Sequence, residues 1–266
     1  MKLLKNLLLS ALTVSSLAVV AQAHAGDLKE LRIGVETAYP PFEFKDTNGQ
    51  PTGFNVDVGN AICKKLDTQC VWVVQPFDSL IPGLKARKFD MIHSSITVNE
   101  ARKKVIDFTV PLYSIPSQLV AKKGSQLTPD LEVLKGKKIG VLQGSVQETY
   151  ARRHWARKGV NVIAYQDQTL TFADLSNGRL DAALIEKPNA QAGFLSKDQG
   201  KDFEFVGEPL QHDPILNNEV AIGLRKDSDE LKNKVDEAIE ALQTDGTIEQ
   251  LSKKYFKDDE IKFITH

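Results

Sequence analysis

Arg102 stands a few residues beyond Ser94-Ser95-Ile96-Thr97, at the opening of a charged helical run. A guanidinium held among small hydroxyls is a fork for a carboxylate. It offers two parallel, charge-assisted hydrogen bonds, and hydroxyls and backbone N–H groups fill the remaining lone pairs. An exposed helix Arg is far commoner than such a clamp, so the weight falls on its company: Glu36 and Tyr39 near the start of the chain, Phe77 further on, and an export-type N-terminus. Other chemistries find less support. The five histidines are scattered, with no HExxH or other metal-ligand spacing, and no G-x-S-x-G elbow accompanies the serines. The expectation is a binding protein with no metal, no cofactor and no catalytic residue.

Strand-like and helix-like stretches alternate, which argues for an α/β fold. Residues 31–35 predict a short strand that ends at Glu36, where α/β folds place ligand contacts. Asn55 is a competent N-cap for a helix with Val58, Ile62 and Leu66 on one stripe, and Asp78 can cap the helix after it. Residues 71–74 and 89–92 read as strands, and the serines follow the carboxyl end of the second. A second unit has strands at 117–121, 138–142, 162–165 and 182–185. Its Gln143-Gly144-Ser145 turn enters a helix from about residue 147 to 158, which points backbone N–H groups at an anion. Ser228 caps a later helix with Leu231, Val235, Ile239 and Leu242 at its core face.

The first segment stands apart from the fold. Lys2 and Lys5 form a basic start, residues 7–20 an apolar stretch, and Ala21-Gln22-Ala23-His24-Ala25 two small-x-small cleavage sites, the pattern of a cleaved secretory signal. No later segment approaches the roughly 20 apolar residues of a membrane span. Loss of residues 1–25 removes two Lys and no acid, so the formal charge moves from −1 to about −3. That balance argues against nucleic acid and against a polybasic membrane face. Cys63 and Cys70 are either reduced bystanders or a disulfide, and an exported chain favours the disulfide. Closing so short a loop stabilises by about 2–3 kcal/mol on the chain-entropy model.

Several longer stretches carry a resemblance. They are 38–42 (Ala-Tyr-Pro-Pro-Phe), 53–57 (Gly-Phe-Asn-Val-Asp), 77–82 (Phe-Asp-Ser-Leu-Ile-Pro), 140–145 (Gly-Val-Leu-Gln-Gly-Ser), 178–183 (Gly-Arg-Leu-Asp-Ala-Ala) and 245–247 (Asp-Gly-Thr). In this order, from about Leu31 to Phe256, the chain resembles the periplasmic solute-binding proteins of the polar amino-acid ABC-uptake family (family 3). Its greatest similarity is to the lysine/arginine/ornithine- and histidine-binding members. The resemblance implies a two-lobed periplasmic-binding-protein fold (type II) joined by two crossover hinge strands. Lobe 1 would comprise 26–114 plus 215–266 and lobe 2 115–214, after a signal peptide of 1–25. It further implies a periplasmic monomer that closes on an amino acid and delivers it to an ABC transporter membrane permease. The Cys63–Cys70 pair falls where the cationic binders have their disulfide.

Carried over by position, Arg102, Ser94, Ser95 and Thr97 would hold a ligand α-carboxylate, with Ser145, Val146 and Gln147 supplementing them. Glu186 would accept from the α-ammonium, Tyr39 and Phe77 would sandwich the aliphatic stem, Leu142 would line it, and Glu36 would face a distal cation. Thr97 and Val146 replace a more usual Ser and Thr, and Glu186 a shorter Asp. Lys187 follows where relatives often have a second acid, which admits an opine or N-substituted arginine as ligand. Exported cyclohexadienyl dehydratases also resemble this family, and Glu186 with Lys187 is the pair that could serve as proton donor there.

Overall fold

Two series of short apolar strands, each interleaved with helices, form two five-stranded sheets. The computed structural model describes residues 29–210, 213–257 and 261–264; the signal segment expected at 1–25 lies outside the described residues. The first sheet runs in the order Gln69–Val74, Glu30–Val35, Met91–Ile92, Gly223–Leu224, Asp107–Phe108. Its first three strands are parallel, and Gly223–Leu224 is antiparallel to both neighbours. The second sheet repeats the plan as Asn161–Tyr165, Lys138–Leu142, Ala182–Glu186, Ser117–Lys122, Phe203–Leu210, with Ser117–Lys122 the antiparallel member.

Helices cover both faces of these sheets, so the central strands are apolar on both sides. In the second sheet the alternation of side chains separates two cores: Leu119, Ile139, Val141, Trp155 and Leu184 pack on one face, Val120, Phe172, Ala183, Ile185 and Phe194 on the other. In the first, helix Phe54–Lys65 buries Phe54, Val58 and Ile62 together with Leu31, Ile33 and Met91. Helix Asp229–Thr244 adds Val235, Ile239 and Leu242 to that core, the stripe expected from its sequence. Cys63 and Cys70 are bonded, Cα atoms 5.7 Å apart, tying helix Phe54–Lys65 to strand Gln69–Val74.

Ser228 stands at the N-cap position of helix Asp229–Thr244 as expected but makes no side-chain capping hydrogen bond, and two other caps expected from the sequence are not formed. Gly53, at φ 120°, occupies the N-cap position of helix Phe54–Lys65, and Asn55 lies inside the helix. Its side chain is fully buried and serves Glu43 and Tyr113 instead. Asp78 lies within the short helix Phe77–Ser79, and its carboxylate accepts from Gln143 Nε2 at 2.8 Å, across to the other lobe. Both residues are spent on longer-range contacts that local patterning does not reveal.

The chain passes between the sheets twice, through Tyr113–Ser114 and back through Glu219–Val220. These two short strands pair antiparallel, Glu219 opposite Ser114 and Val220 opposite Tyr113, and Lys262–Phe263 flanks Tyr113–Ser114 on its other side. Short paired crossovers between rigid lobes are where dihedral change during closure is absorbed.

Candidate functional site

The carboxyl ends of the parallel strands in both sheets face one another across a narrow shared cavity. Glu36 follows strand Glu30–Val35, and Ser94 and Ser95 follow Met91–Ile92 after one residue. From the second lobe come Leu142 and Glu186, each the last residue of its strand, and Ser145, Val146 and Gln147 at the start of helix Val146–His154. This is the strand-end position at which open α/β sheets bind ligands. Tyr39, Phe77 and Thr97 complete the expected set, so eleven of the twelve candidate residues line the cavity.

Arg102, the twelfth, lies just behind the wall. Asn99 caps its short helix, Glu100–Lys103, by accepting from the Arg102 backbone N–H at 2.8 Å. The guanidinium is buried, with Nη1 donating to Thr97 O at 2.7 Å and Thr97 Oγ1 at 3.2 Å. Nη2 reaches across the cleft to Gly144 O at 3.1 Å, and the Phe77 ring lies 5.6 Å from Cζ. Burial lowers its pKa to about 10, partly opposed by Glu186. It remains a cation at neutral pH.

The wall is otherwise acidic. Glu36, Glu43 and Glu186 are 4%, 1% and 4% exposed and all line the cavity. Neither carboxylate oxygen of Glu36 has a hydrogen-bond partner in good geometry, although the nearby Ala38 N–H favours the anion slightly. Burial, with Asp167 and Glu186 adding to it, pushes Glu36 up to about 8. Glu186 accepts from Tyr39 Oη at 2.8 Å across the cleft and from Gln147 Nε2 at 3.3 Å. These bonds and Arg102 favour its anion, yet burial outweighs them and holds it at about 7.

Glu43 was not among the residues expected from sequence. It pairs opposite Tyr39 in a short hairpin and so presents to the same face. Asn55 Nδ2 donates to Glu43 Oε2 at 2.7 Å, and the hydroxyls of Ser95 and Ser94 approach its two oxygens at 3.2 and 3.3 Å. Burial and the neighbouring Glu36 raise its pKa well above the ordinary range. The signal lay in an acid four residues beyond Tyr39 across Pro40-Pro41, a spacing that returns a hairpin partner to one face.

Two further side chains lie outside the set of site residues. The Lys187 ammonium lies 5.5 Å over the Phe205 ring, and Lys187 does not line the cavity. His93 is fully buried with neither ring nitrogen partnered, and desolvation lowers it to about 3, so it is a neutral packing residue.

The lobes are closed upon each other. Besides Tyr39–Glu186, Arg102–Gly144 and Gln143–Asp78, Asn189 Nδ2 donates to Pro40 O at 2.7 Å. Gly144 makes the approach possible. At φ 77°, its missing Cβ would lie 2.9 Å from Asp78 Cα.

A closed interlobe cavity lined by ionic and aromatic groups invites comparison with known binders. Residues 31–258 match the family model of bacterial extracellular solute-binding proteins, family 3. The lysine/arginine/ornithine-binding periplasmic protein of Escherichia coli (strain K12) is 43% identical over 253 residues, 95% of this chain and 97% of that protein. The L-arginine-binding protein of Pseudomonas aeruginosa is 44% identical over 255 residues, 96% of this chain and 97% of its own length. Among solved structures, an ancestral arginine-binding protein bound to arginine superposes with a TM-score of 0.80 at 33% identity, covering 86% of this chain and 99% of that one. With a two-sheet fold, paired crossovers and a site at the strand ends to match, the chain belongs to the bacterial extracellular solute-binding proteins, family 3.

Proposed function

We propose that the protein captures a basic amino acid, arginine-like in charge and length, between its lobes and presents it to an ABC transporter permease. The observation that carries this reading is the charge balance of the cavity: three buried carboxylates against one buried guanidinium. Buried acids without counter-ions are costly, and a ligand bringing two cations and one carboxylate offsets that cost where a neutral amino acid does not.

In this reading the α-carboxylate meets Arg102, Thr97, the Ser94–Ser95 segment and the N–H groups of Ser145, Val146 and Gln147. Glu186 takes the α-ammonium. Tyr39 and Phe77 cover the aliphatic stem against Leu142, and Glu36 takes the distal cation. The moving bodies would be 26–114 with 215–266, and 115–214, turning about the paired crossovers. The ligands named for the relatives accord with this assignment.

The protein is read as a binder rather than a dehydratase because Lys187, needed beside Glu186 as a proton donor, is engaged with Phe205. The same position leaves no second cation in the cavity for an opine's extra carboxylate. Calorimetric titration with arginine, lysine, ornithine, histidine, octopine and citrulline tests the proposal. Micromolar or tighter binding of a basic amino acid with far weaker citrulline binding is expected. Preference for citrulline or octopine overturns it.

A further inference from the structure

Closing this cleft places three carboxylates, contributed by both lobes, around one small space. Glu36 and Glu43 belong to the first lobe and Glu186 to the second. We infer that Glu36, Glu43 and Glu186 form a charge lock on closure: at neutral pH the lobes close over a cationic ligand and stay apart over an empty cleft or a neutral solute. The inference rests on the cationic-ligand reading for its ligand arm only. It makes Glu43 a specificity-determining residue alongside Glu36, although its oxygens are already occupied by Asn55, Ser94 and Ser95.

The groups facing the acids leave the balance negative. Among the described residues Arg102 is the cation acting on Glu186, and its Nη atoms are committed to Thr97 and Gly144. Tyr39 donates to Glu186 and Tyr113 to Asn55, and neither carries a positive charge. Asp167, just before the helix Gln168–Ser176, adds a further negative charge felt by Glu36. Glu36 meets no good hydrogen-bond partner, so its anion in the shut cavity relies on what enters with the ligand. Opposing the repulsion are the interlobe contacts Gln143–Asp78, Asn189–Pro40 and Arg102–Gly144, which hold the lobes together once charge is balanced.

The sign of the pH response follows. With the lobes closed, burial holds Glu36 near 8 and Glu186 near 7; opened to water, glutamates titrate at roughly 4.3. The closed empty form therefore binds more protons than the open one. Its stability is full below the open-state value and is lost as pH rises through 7 to 8. His93 stays neutral through this window, and His154 pairs with Asp213 away from the cavity lining.

The experiment is small-angle scattering, with a fluorescence-transfer pair on the two lobes, on the full mature chain without ligand at pH 8 and pH 5. The lock expects an open form at pH 8 and a rise of roughly tenfold or more in the closed-to-open ratio by pH 5. The double variant Glu36→Gln/Glu43→Gln should close without ligand at pH 8. Each single variant should close in part, with a weakened pH response. An unliganded protein equally open or equally closed at both pH values overturns the lock, as does a double variant that stays as open as wild type. Arginine is then added to wild type at pH 8. Failure to close with arginine while acid still closes the cleft removes the proposed ligand and leaves the lock standing.

Discussion

Arg102 holds three oxygens at once, Thr97 O, Thr97 Oγ1 and Gly144 O, and a ligand carboxylate would have to join or displace them. Arg102→Ala should therefore weaken arginine binding by about 3–5 kcal/mol, the cost of leaving a buried anion unpaired. Arg102→Lys keeps the charge but loses the fork, so an intermediate loss is expected. Calorimetry on both variants checks this, and wild-type affinity in Arg102→Ala would remove the clamp. At the opposite end, Glu36→Gln should cost arginine roughly 2–3 kcal/mol while citrulline changes little, because only the cation loses a charged partner. Equal losses for the two ligands would show that Glu36 does not read charge. At this scale the sequence was legible where residue type and family position coincided, as for Glu36, Tyr39 and Phe77. Glu43 escaped because an acid among aromatics in a turn reads as solvated until hairpin pairing brings it opposite Tyr39.

The turn at Gly144 and the staple at Cys63–Cys70 make contrasting claims at the level of elements. Gly144→Ala places a Cβ 2.9 Å from the Asp78 backbone at a φ of 77°, so the closed form suffers twice while the open one bears only the backbone strain. Arginine affinity should fall roughly tenfold or more, with a smaller change in the thermal midpoint of the unliganded protein. Unchanged affinity would mean that the lobes do not approach at Gly144 in the bound state. Replacing both cysteines by serine should cost about 2–3 kcal/mol in urea unfolding and leave arginine binding intact, since the disulfide lies on the far end of helix Phe54–Lys65 from the cavity. The parallel strands and the two longest helices were legible from apolar periodicity, as the Val235, Ile239 and Leu242 stripe illustrates, whereas the edge strand Phe203–Leu210, interrupted by Glu204, Gly207, Glu208 and Pro209, was not. Caps were not. Asn55 and Asp78 carry the local signature of N-caps, but the structure uses them in a buried network and in an interlobe contact.

For the molecule as a whole, a ligand that bridges both lobes should stabilise the assembly by about 2.7 kcal/mol at 100 times its dissociation constant, which a thermal-shift titration reads directly. A basic amino acid that binds by calorimetry yet leaves the midpoint unmoved would be binding the folded and unfolded chains alike, which a site formed only on folding does not do. Alternation of strands and helices announced two α/β units, whereas the way they interlock depends on pairings between distant segments. Gly223–Leu224, from late in the chain, sits between Met91–Ile92 and Asp107–Phe108. The second sheet, by contrast, is built wholly from Ser117 to Leu210. During synthesis, then, the last strand of the second sheet, ending at Leu210, precedes by only a short stretch the Gly223–Leu224 strand that completes the first. The first lobe keeps a strand-wide gap in its sheet until residue 224 arrives, and pairings so distant in sequence are slow to form.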